Sequence, residues 1–291
     1  MTSDVFASGL FFPEGPVALP DGSWLVVEGG ERGSVTQITP DGKQRRTVAV
    51  TGIPNGLAVD RSGSIWVAEP KVPSLLRVTL DGKVEVFLTG CNGEPFLYPN
   101  DLCFGPDGAL YLTDSGITAA DFEPGGIVRP DFETCPIDGR VYRIDVPART
   151  IQKLDSGLRF TNGIAFGPDN DLYVNETITG AVYRYRRTST GFGPREVFGN
   201  VWNNRKYEDL RGPDGMAFGT DGKLYCAVFG QGDVTVLGTD GKVVRRLPTR
   251  GSRPTNVAFG LPGQKKLYVT EYQLGQVEVF PTETDGLPLW T

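Results

Sequence analysis

Apolar and polar positions along the chain recur as one phrase, written six times. The copies are Pro13-Glu14-Gly15-Pro16-Val17-Ala18, Pro54-Asn55-Gly56-Leu57-Ala58-Val59, Pro99-Asn100-Asp101-Leu102-Cys103-Phe104, Thr161-Asn162-Gly163-Ile164-Ala165-Phe166, Pro213-Asp214-Gly215-Met216-Ala217-Phe218 and Pro254-Thr255-Asn256-Val257-Ala258-Phe259. The apolar tail hardly changes, whereas the second position changes its chemistry from copy to copy. A turn follows each tail, as in Pro20-Asp21-Gly22 and Pro106-Asp107-Gly108, supplying the positive φ that tight hairpins need. A continuous apolar and aromatic run comes next, such as Ile65-Trp66-Val67-Ala68 or Leu224-Tyr225-Cys226-Ala227, which predicts a strand buried on both faces. Third strands alternate, as in Ser34–Ile38 and Arg140–Ile144, which predicts one wet face; fourth strands are more polar, as in Val84–Leu88. No helical periodicity competes.

The variable positions are separated by 41, 45, 62, 52 and 41 residues, from Glu14 through Asn55, Asn100, Asn162 and Asp214 to Thr255. A period of forty-odd residues with four strands per unit predicts an all-β, six-bladed β-propeller of four-stranded antiparallel blades. The shared frame and the absence of a linker predict one domain over 1–291. Blade six runs out after Gln276–Phe280, while Asp4–Gly9 repeats the wording of the fourth strands ending Glu85–Gly90 and Glu196–Gly199. Residues 3–9 are therefore expected to complete the last blade and leave no open edge. Insertions are expected at 115–139, at 186–194 and at 200–211, the last carrying Trp202 and Tyr207.

Composition narrows the chemistry. The formal charge is −6, which argues against a nucleic-acid surface. Residues 1–13 do not read as a signal peptide and no apolar run is long enough to span a membrane. Cys91, Cys103, Cys135 and Cys226 form no CxxC pair; free thiols in a reducing, cytoplasmic setting are expected, with a Cys91–Cys135 bridge as the alternative. Histidine is absent altogether, which removes Ser-His-Asp and Cys-His catalysis, His-ligated metals and a His general base.

Inner strands line the channel of a propeller, so the six variable residues should converge on the axis. Two carboxylates and three amides with no Lys or Arg suit a hard divalent cation, and buried unpaired carboxylates would otherwise be costly. Strand-entry turns alone would explain the Asn-Gly pairs, but poorly explain Glu14 between two prolines and a glycine.

Pro13-Glu14-Gly15-Pro16, Tyr98-Pro99-Asn100-Asp101, Thr161-Asn162-Gly163, Pro213-Asp214-Gly215-Met216 and Arg253–Gly260 resemble the motifs of the senescence marker protein/gluconolactonase (regucalcin) family across essentially the whole chain. The resemblance implies one metal in the channel held by Glu14, Asn162 and Asp214, with Asn100 beside it on metal, water or substrate. Tyr98 stands where some lactonases of that family have Arg, which bears on the contact to a substrate hydroxyl. The expected activity is hydrolysis of a small lactone, a sugar lactone or related cyclic ester. The metal would be the Lewis acid, and a carboxylate, Asp214 first and Asp101 second, would take the proton from water. All-oxygen ligation leans towards a hard ion, calcium first, with zinc, magnesium, manganese and iron(II) open. Acids also follow five of the second strands: Glu28, Glu69, Asp114, Glu176 and Glu271. They cap loops or rim the pocket, with Glu69 and Glu271 the candidates for substrate contact. Phe96, Tyr98, Trp202 and Phe229 are candidates for an apolar wall. The alternatives are an organophosphate or other ester hydrolase on the same metal, and a non-catalytic cation- or ligand-binding propeller.

Overall fold

The computed structural model describes residues 3–205 and 209–290, so Tyr207 lies outside the described residues. Six four-stranded antiparallel sheets form a ring. Blade one is Pro13–Ala18, Trp24–Glu28, Ser34–Ile38 and Arg45–Val50; blade two is Leu57–Val59, Ile65–Glu69, Ser74–Val78 and Val84–Leu88. Blade three is Pro99–Phe104, Leu110–Asp114, Gly139–Asp145 and Thr150–Leu158; blade four is Thr161–Phe166, Leu172–Glu176, Ala181–Thr188 and Gly191–Asn200. Blade five is Gly212–Phe218, Leu224–Phe229, Asp233–Leu237 and Val243–Pro248. Blade six is Pro254–Phe259, Lys266–Glu271 and Gln276–Pro281, closed by Asp4–Ser8 from the start of the chain. That strand pairs antiparallel with Gln276–Pro281, Asp4 opposite Val279 and Ser8 opposite Gln276. Ser3 locks it by donating to Glu278 Oε2 (2.5 Å) and accepting on its carbonyl from Arg250 Nη2 (2.6 Å). The edge expected to close does close.

The core lies between the blades rather than at the centre. Each of six apolar clusters joins neighbours; Trp66 of blade two, for instance, shares a cluster with Leu102, Leu110 and Tyr142 of blade three, and Tyr268 of blade six shares one with Trp24 of blade one. Second strands are sandwiched on both faces, which is why they read as continuous apolar runs. Burying one such large side chain contributes roughly 1.5–3 kcal/mol. The third strands are drier than their alternation implies. Ser34–Ile38 and Asp233–Leu237 are almost wholly buried, because their polar residues face paired groups; Thr36 Oγ1 donates to Glu28 Oε1 at 2.7 Å. Outer strands carry the wet face and blunt their edges with charge, as in Arg45-Arg46 and Arg245-Arg246.

Three features were not expected. Gly90–Cys91 and Glu94–Pro95 form a small hairpin before blade three. The 115–139 insertion contains a short helix, Ala119–Phe122, capped by Thr118; Phe122, Ile117 and Cys135 pack on Phe160 and Ile178 of the neighbouring blade. The C-terminal segment returns across the far ends of the inner strands. Leu287 donates to the Phe218 carbonyl at 2.8 Å, and Trp290 bridges to Phe104. All four cysteines are free, so the Cys91–Cys135 bridge is not formed.

Candidate active site in the central channel

In blade two the inner strand begins only after Asn55; each of the other five delivers its variable residue by the same irregularity. The residue before it pairs with the end of the second strand: Pro13 with Glu28, Pro99 with Asp114, Thr161 with Glu176, Pro254 with Glu271. The ladder then slips, between Glu14 and Val17, Pro99 and Leu102, Thr161 and Ile164, Pro213 and Met216, and Pro254 and Asn256. Such bulges re-aim side chains. Glycine follows in four blades because the next blade approaches closely, through backbone or a side chain; a Cβ on Gly56 would sit 2.6 Å from Asp101 Oδ1 and 2.7 Å from the Asn100 carbonyl.

Glu14, Asn100, Asn162, Asp214 and Thr255 are buried, between 2 and 8 % exposed, and Asn55 is half-buried. The two central amides are oriented by hydroxyls. Asn100 Nδ2 donates to Ser115 Oγ (3.0 Å), whose own proton goes to the Thr161 carbonyl (2.9 Å). Asn162 Nδ2 donates to Thr177 Oγ1 (3.3 Å), whose proton goes to the Pro213 carbonyl (2.9 Å). A hydroxyl committed as a donor must accept from the amide, so each amide turns its oxygen the other way. Asn100 Oδ1 and Asn162 Oδ1 are both buried without a partner, an arrangement that is costly unless something fills it. Thr255 instead donates to the Pro13 carbonyl (2.8 Å) and stitches the last blade to the first.

The acids show the same deficit of positive charge. Burial, then the charges of Asp214 and Asp101, hold the Glu14 carboxyl well above the usual range, although Asn256 and the Gly15 amide donate to it. Burial and Asp101 raise Asp214, against donation from Asn162 and the Gly15-equivalent amide of Gly215. Burial pushes Asp101 up to about 7 despite hydrogen bonds from Leu102, Ile164 and Asn256. No Lys or Arg is among the groups acting on the three. Two carboxylates and two orphaned amide oxygens are a donor set that fits a hard cation. Among the described residues no three His, Cys, Asp or Glu gather as a metal cluster, so amide oxygens are indispensable to any such site here.

The acids after the second strands cap loops. Glu28 accepts from Phe11 N (2.7 Å), Asp114 from Leu97 N (2.7 Å) and Tyr98 N (3.0 Å), and Glu176 from Arg159 N (2.5 Å). Glu69 Oε1 accepts from Ile53 N (2.9 Å) and Lys71 N (2.8 Å), leaving its buried Oε2 without a partner. Glu271 uses both oxygens, on Arg253 N (2.9 Å) and Leu274 N (2.6 Å). Both acids thus anchor strand-entry loops, Glu271 through both oxygens and Glu69 through one.

Tyr98 is half-buried, hydrogen-bonded to the Asn55 amide and close to Glu123 and Asp214. Its ring lies 5.9 Å from Phe160, while across the mouth Phe12 stacks on Tyr272 at 4.1 Å and Phe229 meets Tyr272 at 6.0 Å. Phe12 and Phe160 both hold left-handed backbone, φ 48° and 67°, immediately before an inner strand, where strain often accompanies function. Phe229 therefore belongs to the rim. Phe96 does not; it packs on Tyr142 at 5.3 Å inside the core between blades two and three. Trp202 lies under Arg211, 4.6 Å from its guanidinium carbon to the ring centre. A surface groove of about 750 Å³ lies elsewhere, between outer strands of blades three and four, and shares no residue with the ring.

Two residues were missed by attention to the second position alone. Ser115 and Thr177 each stand 15 residues after the amide they orient. The carboxylate blades have Gly29 and Phe229 at that offset, because a carboxylate has two equivalent oxygens and needs no such orientation. Asn256, at the third position, was seen only as part of a motif.

The fold and this ring define a propeller with an acid- and amide-lined channel. The chain belongs to the SMP-30/gluconolactonase/LRE-like region family, whose model matches residues 12–273. It is 27 % identical over 283 residues to a gluconolactonase of Zymomonas mobilis, covering 90 % of this chain and 76 % of that one. Among solved structures it is similar to a gluconolactonase from Xanthomonas campestris, with a TM-score of 0.79 at 24 % identity over 95 % of this chain and 88 % of that one. It is also similar to regucalcin, a calcium-binding protein from Agrobacterium tumefaciens, with a TM-score of 0.79 at 21 % identity over 100 % and 97 %.

Proposed function

We propose that this chain is a metal-dependent lactonase that opens a small hydroxylated lactone to the hydroxy acid. The observation that carries the reading is the pair of buried, unpartnered oxygens, Asn100 Oδ1 and Asn162 Oδ1, in one ring with the uncompensated carboxyls of Glu14 and Asp214. The relative named gluconolactonase supports the reaction class, and the neighbour described as calcium-binding supports the ion. Glu14, Asn100, Asn162 and Asp214 would hold one divalent cation, calcium first. When bound, such a cation supplies the positive charge these groups lack and polarises a carbonyl as a Lewis acid.

The chain's own residues supply the rest. Asn162 donates to Asp214 and fixes its carboxylate. Burial and then the Asp101 charge beside it raise the proton affinity of Asp214 in the metal-free ring. Water adds to the lactone carbonyl carbon and gives its proton to Asp214. The ring C–O bond breaks, and the same proton passes to the departing ring oxygen. Asp101 is second choice as base, because Leu102, Ile164 and Asn256 already donate to its carboxylate. Tyr98, held by Asn55, faces substrate at the rim. The half-buried rings of Phe12, Tyr272 and Phe229 offer a flat face to the C–H side of a lactone ring.

A pH-stat screen of lactones, acyclic esters and organophosphates, with metal-stripped and reconstituted protein, tests this. Lactone turnover that needs the ion and falls by about 10²–10⁴ in Asp214→Asn is the expected outcome. Turnover that survives chelation and this substitution would sink the mechanism, and preferential cleavage of organophosphates would move the substrate class.

A further inference from the structure

We propose that Asn256 is the positioning residue of this ring, a crossbar that ties Glu14 to Asp101 and closes the channel beneath the ring. It rests on the reading of the ring as a cation site. The third position of the six phrases is glycine in four blades and carries a side chain only in blade three, Asp101, and blade six, Asn256. In a six-membered ring these blades stand opposite each other, so the two side chains meet on the axis.

The direction of the Asn256 carboxamide is fixed. The main-chain N–H of Val257 donates to Asn256 Oδ1 at 2.8 Å, so that atom is the acceptor and the NH₂ faces inward. Nδ2 donates to Glu14 Oε2 at 3.2 Å and the carboxamide also hydrogen-bonds the Asp101 carboxylate. A neutral double donor thus stands between two acids that repel each other. The Asn256 backbone is itself held, with N donating to Thr270 Oγ1 at 3.0 Å. The glycines make room: a Cβ on Gly215 would collide with the Asn256 carboxamide, and one on Gly56 with Asp101 Oδ1. Asn256 and Asp101 are 6 and 7 % exposed. Further down, the C-terminal segment crosses from Gly219 to Phe104. Asn256 thus presents one Glu14 oxygen rather than letting the side chain turn towards Asp101.

Calorimetric titration of metal-free protein with calcium chloride and manganese chloride tests this in the wild type, Asn256→Ala, Asn256→Asp and Gly215→Ala. The expected result is a tenfold to hundredfold loss of affinity in each variant, the range for a group that orients a ligand, with the metal-free thermal midpoint of Asn256→Asp close to wild type at pH 5, where the buried acids hold their protons, and lower at pH 8. If Asn256→Ala does not fold, the same-shaped Asn256→Asp carries the test. Unchanged affinity, or tighter binding in Asn256→Asp as added negative charge alone would give, overturns the proposal. Wild type that binds neither ion overturns it too, while lactone turnover still reports separately on the function. Ion binding lost in the variants without any lactone turned over by wild type would leave the crossbar standing and remove the lactonase reading.

Discussion

Stripping the cation should make this protein less stable as pH rises from 5 to 8. Glu14, Asp101 and Asp214 all hold protons more tightly folded than unfolded, because burial and mutual repulsion oppose their charges. A carboxyl whose folded value is raised gives stability that is complete below its unfolded value and is lost as pH climbs through the folded one. For Asp101 the window runs from the ordinary 3.8 to about 7, a loss on the order of 4 kcal/mol. About two of those pH units lie between pH 5 and 8, roughly 3 kcal/mol, so at roughly 2 °C per kcal/mol for a chain of this size the metal-free midpoint should fall by about 5 °C over that range from Asp101 alone. No histidine titrates in this window, and Asp114 and Glu123, also raised by burial, act in the same direction as Asp101. The acids held low by their donors, such as Asp60 and Asp107, lose their contribution only in more acidic solution, and the half-buried Cys103 and buried Cys226 thiols are raised above their ordinary range. Calcium at a hundred times its dissociation constant should restore about 2.7 kcal/mol, most effectively at high pH, where the ligands are already deprotonated. Differential scanning calorimetry at four pH values, in EDTA and in calcium, reads both effects, with Asp101→Asn as the variant that flattens the metal-free slope. A metal-free midpoint that is level or rising between pH 5 and 8, or an unaltered slope in Asp101→Asn, would refute the reasoning.

Glu271→Gln should cost about 1–3 kcal/mol of stability for a disturbed buried cap, read as a lower thermal midpoint, and leave KM for the lactone unchanged; a raised KM at wild-type stability would return Glu271 to the substrate. Tyr98→Phe removes the hydroxyl held by Asn55 and should raise KM about three- to tenfold with kcat nearly unchanged, so a fall in kcat alone would place Tyr98 in the chemistry instead of at the rim. In Thr177→Val the hydroxyl that orients Asn162 is gone, and the released amide can turn either end to the channel; cation affinity should fall about tenfold or more, and equal affinity would show that the amide needs no guide.

Much of this protein is legible in its sequence because a propeller repeats one local solution. The period, the turns, the continuous second strands and the stray strand phrase at Asp4–Gly9 determine six blades and their closure, since hydrophobic patterning and turn chemistry act over a few residues. The second position of the phrase likewise picks out Glu14, Asn100, Asn162 and Asp214, because equal places in equal blades converge on one axis. Sequence does not say which way an amide faces. Asn100 and Asn162 become oxygen donors to the channel only because Ser115 and Thr177 are obliged to give their own protons to carbonyls of the following blade. Nor does it say that Glu271 has no free oxygen, since the loop amides that occupy it are brought there by the sheet. The meeting of Asn256 with Asp101 is likewise decided by tertiary structure, because only ring closure sets blade six opposite blade three and puts one carboxamide between two buried acids.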